Sequence, residues 1–583
     1  MTAITAELTS DGRAIAVIGS ELFDDEVAYI ARQIRGITPL ITPSDPRGAL
    51  IVPLTWASVV QLSTVVPKGW HPGPRLQRWV TGELAKRARM EPDGTNTSRV
   101  LPEGLVPRPY QWTGAGLIAA TGRALISDEP GTGKTITAIL GLLARQEHGG
   151  DALPVLVVCP ASVVDAWVDA WRTWVPDYTA VAYRGTGRKL LLSQAHADVY
   201  VASYDTARID VAYLADRLAP SALVIDEHHM IKNHRAARTV AVRRVARGAD
   251  VVVALSGTPI THHPGDLYPT LACLEPDAWP SRERWVRRYC LVDAGDYGET
   301  ILGLNPGRED ELRLCLLGQH RRVAKADVLS QLPPKIYSVR YVDLPVAHRR
   351  TYDQMAKRML AELPDGTELS VMTVLAQMTR LSQLASAPAD VTTTIEVAED
   401  GEETEHVEVT LKGPSWKVDA LLEILAERPS QQVVVFAPSK QLIEIAQQAV
   451  HDAGYTTGLI VGGQYARTRT LMINEFQAGN VDVMFVTTGA GGTGITLTAA
   501  STVAFLQRPW SLVESLQAED RCHRIGSERH DSIEIIDIVA RDTIDSRVRD
   551  ALRTKGQQLA DLVQDPRIIA DLLGGTKTAR KAA

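Results

Sequence analysis

The clearest chemical potential lies in Asp128 to Thr135, DEPGTGKT, between an apolar strand-like run (ALIS) and the helical pattern KTITAILGLLARQ. A loop that wraps phosphates needs small residues so that backbone N–H groups can converge on the anion. It then needs a lysine opening the helix and a hydroxyl beside it for a divalent cation. Gly131, Thr132, Gly133, Lys134 and Thr135 supply that order, with Asp128 at a first position where Gly or Ala is usual. For this stretch alone, a plain Gly-rich turn before a helix is the competing reading. Further on, ALVIDEHH ends an apolar run in Asp226 and Glu227. Adjacent carboxylates at a strand end suit magnesium-nucleotide hydrolysis, one holding the metal's water shell and the other polarising the attacking water. Such a pair is common by itself and much rarer downstream of a phosphate loop. QAEDRCHRIG, Gln517 to Gly526, places Arg521 and Arg524 three apart, hence on one face of an expected helix. Two guanidiniums there could reach a γ-phosphate from an opposing domain; on spacing alone, an exposed salt-bridge face is an equal alternative.

These groups need a scaffold, and the chain alternates strand and helix patterns in two blocks. The first block runs through ALIS, VLVVC, DVYVAS, ALVIDE and VVVALSG. The second runs through QVVVFAP, VMFVTT and TVAFL. Alternation of this kind predicts parallel sheets with helices on their faces. The expected organisation is a small α+β accessory domain over residues 1–100, a first α/β lobe over 101–308, a helical connector carrying an acidic β-hairpin over 309–412, and a second α/β lobe with closing helices over 413–583. In the accessory domain GRAIAVIG reads as a strand, DDEVAYIARQIRG as a helix ended by Gly36, and ALIVPLTWASVVQL as a strand running into a helix. Residues 391–412 alternate β-formers around an Asp-Gly turn and include Glu396, Glu399, Asp400, Glu402, Glu403, Glu405 and Glu408. A hairpin this acidic would repel phosphates, so it is no strand-separating wedge. It would instead cover a basic surface or bind a basic partner, with a solvated excursion as the alternative.

The 583 residues carry a net charge of −7, which disfavours a protein that only coats nucleic acid and leaves room for a local positive track. No apolar run reaches membrane-spanning length, and the N-terminus, with acidic residues and no long apolar stretch, does not read as a secretory signal. The five cysteines form no CxxC pair, so neither a zinc site nor a disulfide framework is implied, and a reduced, cytoplasmic setting is expected.

In order from about residue 105 to 565, the motifs resemble the Swi/Snf-related branch of the superfamily two helicases and translocases. RPYQ with Gln111 resembles the adenine-reading segment, and DEPGTGKT resembles DEMGLGKT, where Asp128 is normal. VLVVCPASVVDAW and VIDEHHMIKN resemble the next two motifs, and LSGTPI, Leu255 to Ile260, the coupling motif. HRRVAKADVLSQLPPK resembles the segment linking the lobes, TTGAGGTGITLTAA the Gly-rich motif of the second lobe, and DTIDSRV the closing helix. The resemblance implies two tandem RecA-like lobes using ATP and Mg2+. Lys134 would grip the β- and γ-phosphates, Thr135 and Asp226 position magnesium, and Glu227 activate water. Gln111 would read adenine, Gly131, Thr132, Gly133 and Gly494 would contact nucleotide, and Arg521 and Arg524 would complete the site when the lobes close. His229, Ser256, Gly257, Thr258 and Gln517 would relay nucleotide state. Pro160, Ser162, Gly491 and Gly492, with Gly494, would face the DNA backbone, since small residues let backbone amides approach phosphates. Three departures stand out: His228 where Ala is usual, THHPGDL after the coupling motif in place of an Asn-rich stretch, and Ser527 where Gln is usual.

The resulting expectation is a double-stranded DNA translocase acting alone in replication, recombination or repair, in a bacterial or viral setting, with duplex or forked DNA as partner and contacts to replication or recombination proteins. A strand-separating or annealing helicase on forked DNA or RNA is the alternative within the enzyme class. A nucleotide-gated DNA-binding scaffold is the alternative outside it. The N-terminal segment resembles the DNA-structure-recognition modules of annealing helicases without a diagnostic motif, and a packing or partner-docking domain is equally consistent. Five histidines, His228, His229, His234, His262 and His263, crowd two motifs, but adjacent histidines point apart and no ligand spacing supports a metal. Trp167, Trp171 and Trp174 fall on one helical face, the pattern of a buried stripe rather than of a base-stacking platform. Cys522 between the arginines reads as a small filler, with a redox switch as the alternative.

Overall fold

The computed structural model describes residues 5–18, 38–42, 45–65, 71–88, 99–194, 196–257, 264–295, 298–361, 379–397, 403–489 and 495–549. The expected helix near Asp24 to Gly36 lies outside them, as do Thr258, His262, His263, Gly491, Gly492 and Gly494. The described residues fall into two compact units, one up to Val328 and one from Leu329.

The first unit opens with strands β1 (Thr5–Leu8), β2 (Ala14–Ile18), β3 (Thr38–Thr42), β4 (Asp45–Pro53) and β5 (His71–Pro72), in the sheet order β3-β4-β2-β1-β5. Helix α1 (Trp56–Val65) follows β4 and packs on the helix Glu309–Leu316. This contact is polar at its centre. Trp56 Nε1 donates to the Leu314 carbonyl at 2.6 Å, and Thr64 Oγ1 donates to Glu311 Oε2 at 2.7 Å. Glu311, 3 % exposed in its side chain, also accepts from Arg288 Nε at 2.6 Å, Arg288 Nη2 at 2.8 Å and the Tyr289 hydroxyl at 2.7 Å. Gln61 Nε2 extends the chain to Tyr289. A buried charge survives only when its partners are this complete.

The rest of the unit is built on seven strands: β6 (Arg123–Ile126), β7 (Val155–Cys159), β8 (Ala180–Ala182), β9 (Val199–Ser203), β10 (Ala222–Asp226), β11 (Val251–Leu255) and, after the antiparallel pair β12 (Cys290–Gly295) and β13 (Gly298–Leu304), β14 (His320–Arg321). They run in the order β14-β6-β11-β10-β7-β9-β8, every pairing parallel. VLVVC and VVVAL are buried at every position, the signature of a sheet covered on both faces. Of the expected stripe, Trp167 and Trp171 are 2 % and 0 % exposed within that core, and Trp174 packs half-buried against it.

The second unit repeats the architecture. Strands β15 (Lys335–Val342), β18 (Val433–Ala437), β19 (Thr457–Ile460), β20 (Val483–Thr487), β21 (Thr502–Phe505) and β22 (Ile533–Ala540) form an all-parallel sheet in the order β15-β22-β21-β18-β20-β19. The chain therefore holds two tandem RecA-like lobes. The acidic segment is an antiparallel hairpin of β16 (Ala389–Val397) and β17 (Glu403–Leu411). The connector departs from its helical expectation. Beside the helices Glu309–Leu316 and Val346–Ala361, residues 320–321 and 335–342 are strands that extend one sheet each. KIYSVRYV is dense in β-branched and aromatic residues, which fit a pleated edge better than a helix.

Among the described residues no helix is long and apolar enough to cross a membrane. All five cysteines are buried. Burial pushes the thiols of Cys273 and Cys290 up to about 12, and those of Cys159, Cys315 and Cys522 well above their ordinary value.

Candidate active site

In a parallel sheet, chemistry collects where strand C-terminal ends meet loops. Register aligns three such ends here: Asp226 of β10 pairs with Leu255 of β11, and Leu255 with Ile126 of β6. The phosphate loop, the acidic pair and the coupling motif therefore leave the sheet at one level.

The loop takes its shape from Gly131 and Gly133, at φ +85° and +82°, a region that side chains other than glycine rarely occupy. Lys134 opens the helix Lys134–Glu147 and donates from Nζ to the carbonyls of Asp128 at 2.8 Å and Glu129 at 3.3 Å. Thr135 is the next residue of the same first turn. Gln111 is 3 % exposed and braces this loop: its Nε2 donates to the Thr132 carbonyl at 3.1 Å, while its Oε1 accepts from Arg108 N–H at 2.8 Å. Tyr110 donates to the same Thr132 carbonyl at 2.7 Å. Behind the loop, Ser127 N–H bonds to Arg321 O, and Glu129 N–H to Val323 O. Arg321 also stands 3.3 Å from the buried Asp128 carboxylate, whose pKa burial raises. The start of the inter-lobe segment is thus laced along the phosphate loop.

Asp226 accepts the Trp167 indole N–H at 2.8 Å, and Tyr204 donates to the Asp226 backbone carbonyl at 2.7 Å. Burial and the neighbouring Glu227 charge push Asp226 up to about 6. Glu227 sits at φ +52°, a strained conformation for this residue type. Its Oε2 accepts from Ser256 Oγ at 3.3 Å and lies 3.2 Å from His229 Nδ1, which is itself 3.3 Å from Ser256 Oγ. The structure thus brings the acidic motif and the coupling motif together on one carboxylate. Gly257 packs so closely on the loop that a Cβ there would stand 2.4 Å from Pro130 Cγ. A buried carboxylate held on one oxygen by an indole, raised by its acidic neighbour and lowered by Lys134, fits a divalent cation, which would offset that charge.

Other assignments fare differently. Pro160 and Ser162 follow β7, half-buried and exposed. His228 is fully buried, bonds from Nδ1 to Thr270 Oγ1 at 2.9 Å, and is pushed down to about 3, chiefly by burial, so it fills the core as a neutral ring. Among the described residues no three His, Cys, Asp or Glu side chains gather as a metal site. In the second unit, Gln517 lies on the helix Leu512–Glu519. Arg521 and Arg524 do not share its face, because the helix ends at Glu519 and both arginines sit on the turns that follow. Turn bonds from Arg521 N–H to Ala518 O and from Cys522 N–H to Glu519 O close the helix early. Arg521 is 8 % exposed, which excludes a solvated ion-pair face for it. Its carbonyl accepts from Leu497 N–H at 2.9 Å, and Arg524 Nη1 donates to Ile495 O at 3.3 Å. Sequence reasoning missed Trp167 as the partner of Asp226; its place on a core stripe was the only signal, and that signal concerned packing.

Comparison with known proteins gives a consistent picture. The SNF2-related domain matches residues 110–389, and the helicase conserved C-terminal domain matches residues 416–526. The chain is 26 % identical over 510 residues to the TATA-binding protein-associated factor mot1 of Aspergillus fumigatus, covering 77 % of this chain and 26 % of that protein. It is 26 % identical over 471 residues to the DNA annealing helicase and endonuclease ZRANB3 of Mus musculus, covering 78 % and 41 %. It is 27 % identical over 457 residues to the chromodomain-helicase-DNA-binding protein 1-like of Danio rerio, covering 75 % and 42 %. The chain thus spans less than half the length of these relatives. With a phosphate loop, an acidic strand end and a coupling motif on one sheet edge, and the two domain types in this order, the chain belongs to the Swi/Snf-related branch of the superfamily two helicases and translocases.

Proposed function

We propose that this protein hydrolyses ATP to move along duplex DNA. The observation that carries the reading is the triad of Glu227, Ser256 and His229 beside Asp226, at the strand ends next to the Lys134 loop. Lys134 exchanges its loop carbonyls for phosphate oxygens. Glu227 takes the proton of the attacking water, with Ser256 and His229 fixing the carboxylate and sensing its charge. Asp226, fixed by Trp167, and Thr135 would hold Mg2+, which would supply charge neutralisation of the phosphates. By the family resemblance, Arg521 and Arg524 are the cations proposed to complete ATP hydrolysis. Family relatives whose names specify DNA support a DNA track, and the net charge of −7 leaves room for a local positive one. Replication, recombination or repair is the proposed setting.

The test is steady-state ATP hydrolysis with no nucleic acid and with single-stranded, blunt duplex and forked DNA and RNA. Stimulation by blunt duplex is expected. Stimulation by forks or single strands alone would shift the reading to an unwinding or annealing helicase, and no hydrolysis with any of them would put the scaffold first. Gly257→Ala is expected to lower turnover about tenfold, because overpacking against the Pro130 ring costs about 1–3 kcal/mol and displaces the loop or Ser256. Unchanged kcat and KM would show that the contact relaxes without consequence.

A further inference from the structure

The segment 519–524, which carries both arginines, is fastened to the exit of the inter-lobe linker. Lys335, the first residue of β15, reaches Glu519 Oε2 at 3.0 Å and Asp520 Oδ1 at 3.2 Å. Tyr337 OH donates to the same Glu519 oxygen at 2.9 Å. His523 Nε2 is 2.9 Å from the Pro333 carbonyl, and Ile533 N–H bonds to Pro334 O. From the other side Arg508 Nη1 meets Glu519 Oε1 at 2.7 Å, so both carboxylate oxygens are held. The Glu519 side chain is 3 % exposed and that of Lys335 17 %. Burial alone would lower the lysine's pKa, but the two carboxylates outweigh it and raise it, so the ammonium is charged in the fold. The Lys335, Tyr337 and Arg508 contacts converge on Glu519 and Asp520, directly before Arg521, where the helix ends and the backbone continues in turn bonds. The opposite end of the same linker is laced to the phosphate loop through Arg321 and Val323.

The geometry points to Lys335 as a positioning residue for Arg521: it fixes Glu519 and Asp520 to the linker exit, so that the arginine turn and the linker move as one piece. This rests on the ATP-hydrolysis reading and assigns a residue that the arginine motif does not contain. The fixed turn presents Arg521 in one orientation, and a linker displacement that moves β15 moves the arginine with it. A preorganised guanidinium adds only to the transition state, so its loss falls on kcat rather than on KM.

The experiment compares Lys335→Met, Lys335→Arg, Tyr337→Phe, Arg521→Ala and Lys335→Met/Arg521→Ala in the full chain. Readouts are kcat and KM for ATP with saturating duplex DNA, and the melting temperature. Lys335→Met is expected to lower kcat by at least about 30-fold with KM within about threefold, a fraction of the ~10³–10⁵ that such an arginine contributes. Lys335→Arg should restore most of the rate, and the double variant should lose no more than Arg521→Ala alone, as for residues acting through one another. Multiplicative losses in the double variant, or a lowered melting temperature with kcat intact, would overturn the assignment. If Lys335→Met does not fold, Tyr337→Phe decides. It removes one hydrogen bond to Glu519 from an exposed residue and is expected to lower kcat about fivefold at unchanged melting temperature; unchanged kcat overturns the proposal. Should the wild type itself fail to hydrolyse ATP, the functional reading fails instead. If Arg521→Ala abolishes turnover while Lys335→Met leaves it intact, the reading stands and Lys335 has no such role.

Discussion

Replacing Glu227 by Gln is expected to lower ATP turnover by about 10²–10⁴-fold while leaving ATP binding near its wild-type strength. Glutamine is nearly isosteric, so the φ +52° turn and the contact to Ser256 can persist, but an amide cannot accept the proton of the attacking water. Loss of kcat with little change in nucleotide affinity distinguishes a proton acceptor from a binding group. Equilibrium binding of ATP and single-turnover hydrolysis, measured on the same preparation, check both halves. Retained turnover would remove Glu227 from the chemistry and favour the nucleotide-gated scaffold. Lost binding would mean that the residue holds the nucleotide rather than activating water.

The second large effect concerns stability. Glu311→Leu is expected to destabilise the first unit by about 3–5 kcal/mol, the usual cost of stranding a buried charge. Arg288 is 4 % exposed in its side chain, and Glu311 neutralises it through two hydrogen bonds while also taking those of Tyr289, Thr64 and Arg308. Adding Arg288→Met should recover most of the loss, because an apolar pair leaves neither partner unmatched. Burial would raise the carboxyl pKa of Glu311, but the hydrogen bonds from Arg288 and Tyr289 outweigh it and hold it below the ordinary 4.5. A depressed folded value means that this stabilisation is complete above the unfolded value and fades as pH falls through the folded one. The acid limb of the wild-type stability curve should therefore be steeper than that of the double variant. Denaturant titration at neutral and acid pH measures all of this, and a single-variant loss under about 1 kcal/mol would contradict it.

What sequence could reveal follows the distance over which each piece of chemistry is encoded. Lys134 and Thr135, or Asp226 and Glu227, are neighbours because phosphate and metal binding demand groups a few ångströms apart on one loop, so the motif is contiguous. The strand and helix periods were visible for the same reason, each being set within a few residues. The partners that hold these groups come from anywhere in the chain. Trp167 meets Asp226 across 59 positions, and Lys335 meets Glu519 across 184. No local spacing announces such pairs. The arginine segment shows the converse error. A spacing of three reads as a helix face, but tertiary bonds to Ile495 and Leu497 and early turn closure placed Arg521 and Arg524 beyond the helix. The departures are similar. His228 looked like a change in the acidic motif and proved to be a neutral core ring, its Nδ1 bonded to Thr270.

The burial of all five thiols has a practical side for anyone wishing to watch the proposed motor work. A thiol reacts as thiolate, and these are shielded from reagent and held protonated. Cysteines introduced at Val106, 83 % exposed in the first unit, and Tyr465, 85 % exposed in the second, would take maleimide dyes ahead of every native sulfur. Donor and acceptor fluorophores at those positions would follow inter-lobe distance through a catalytic cycle in the otherwise natural chain, with every native cysteine left in place.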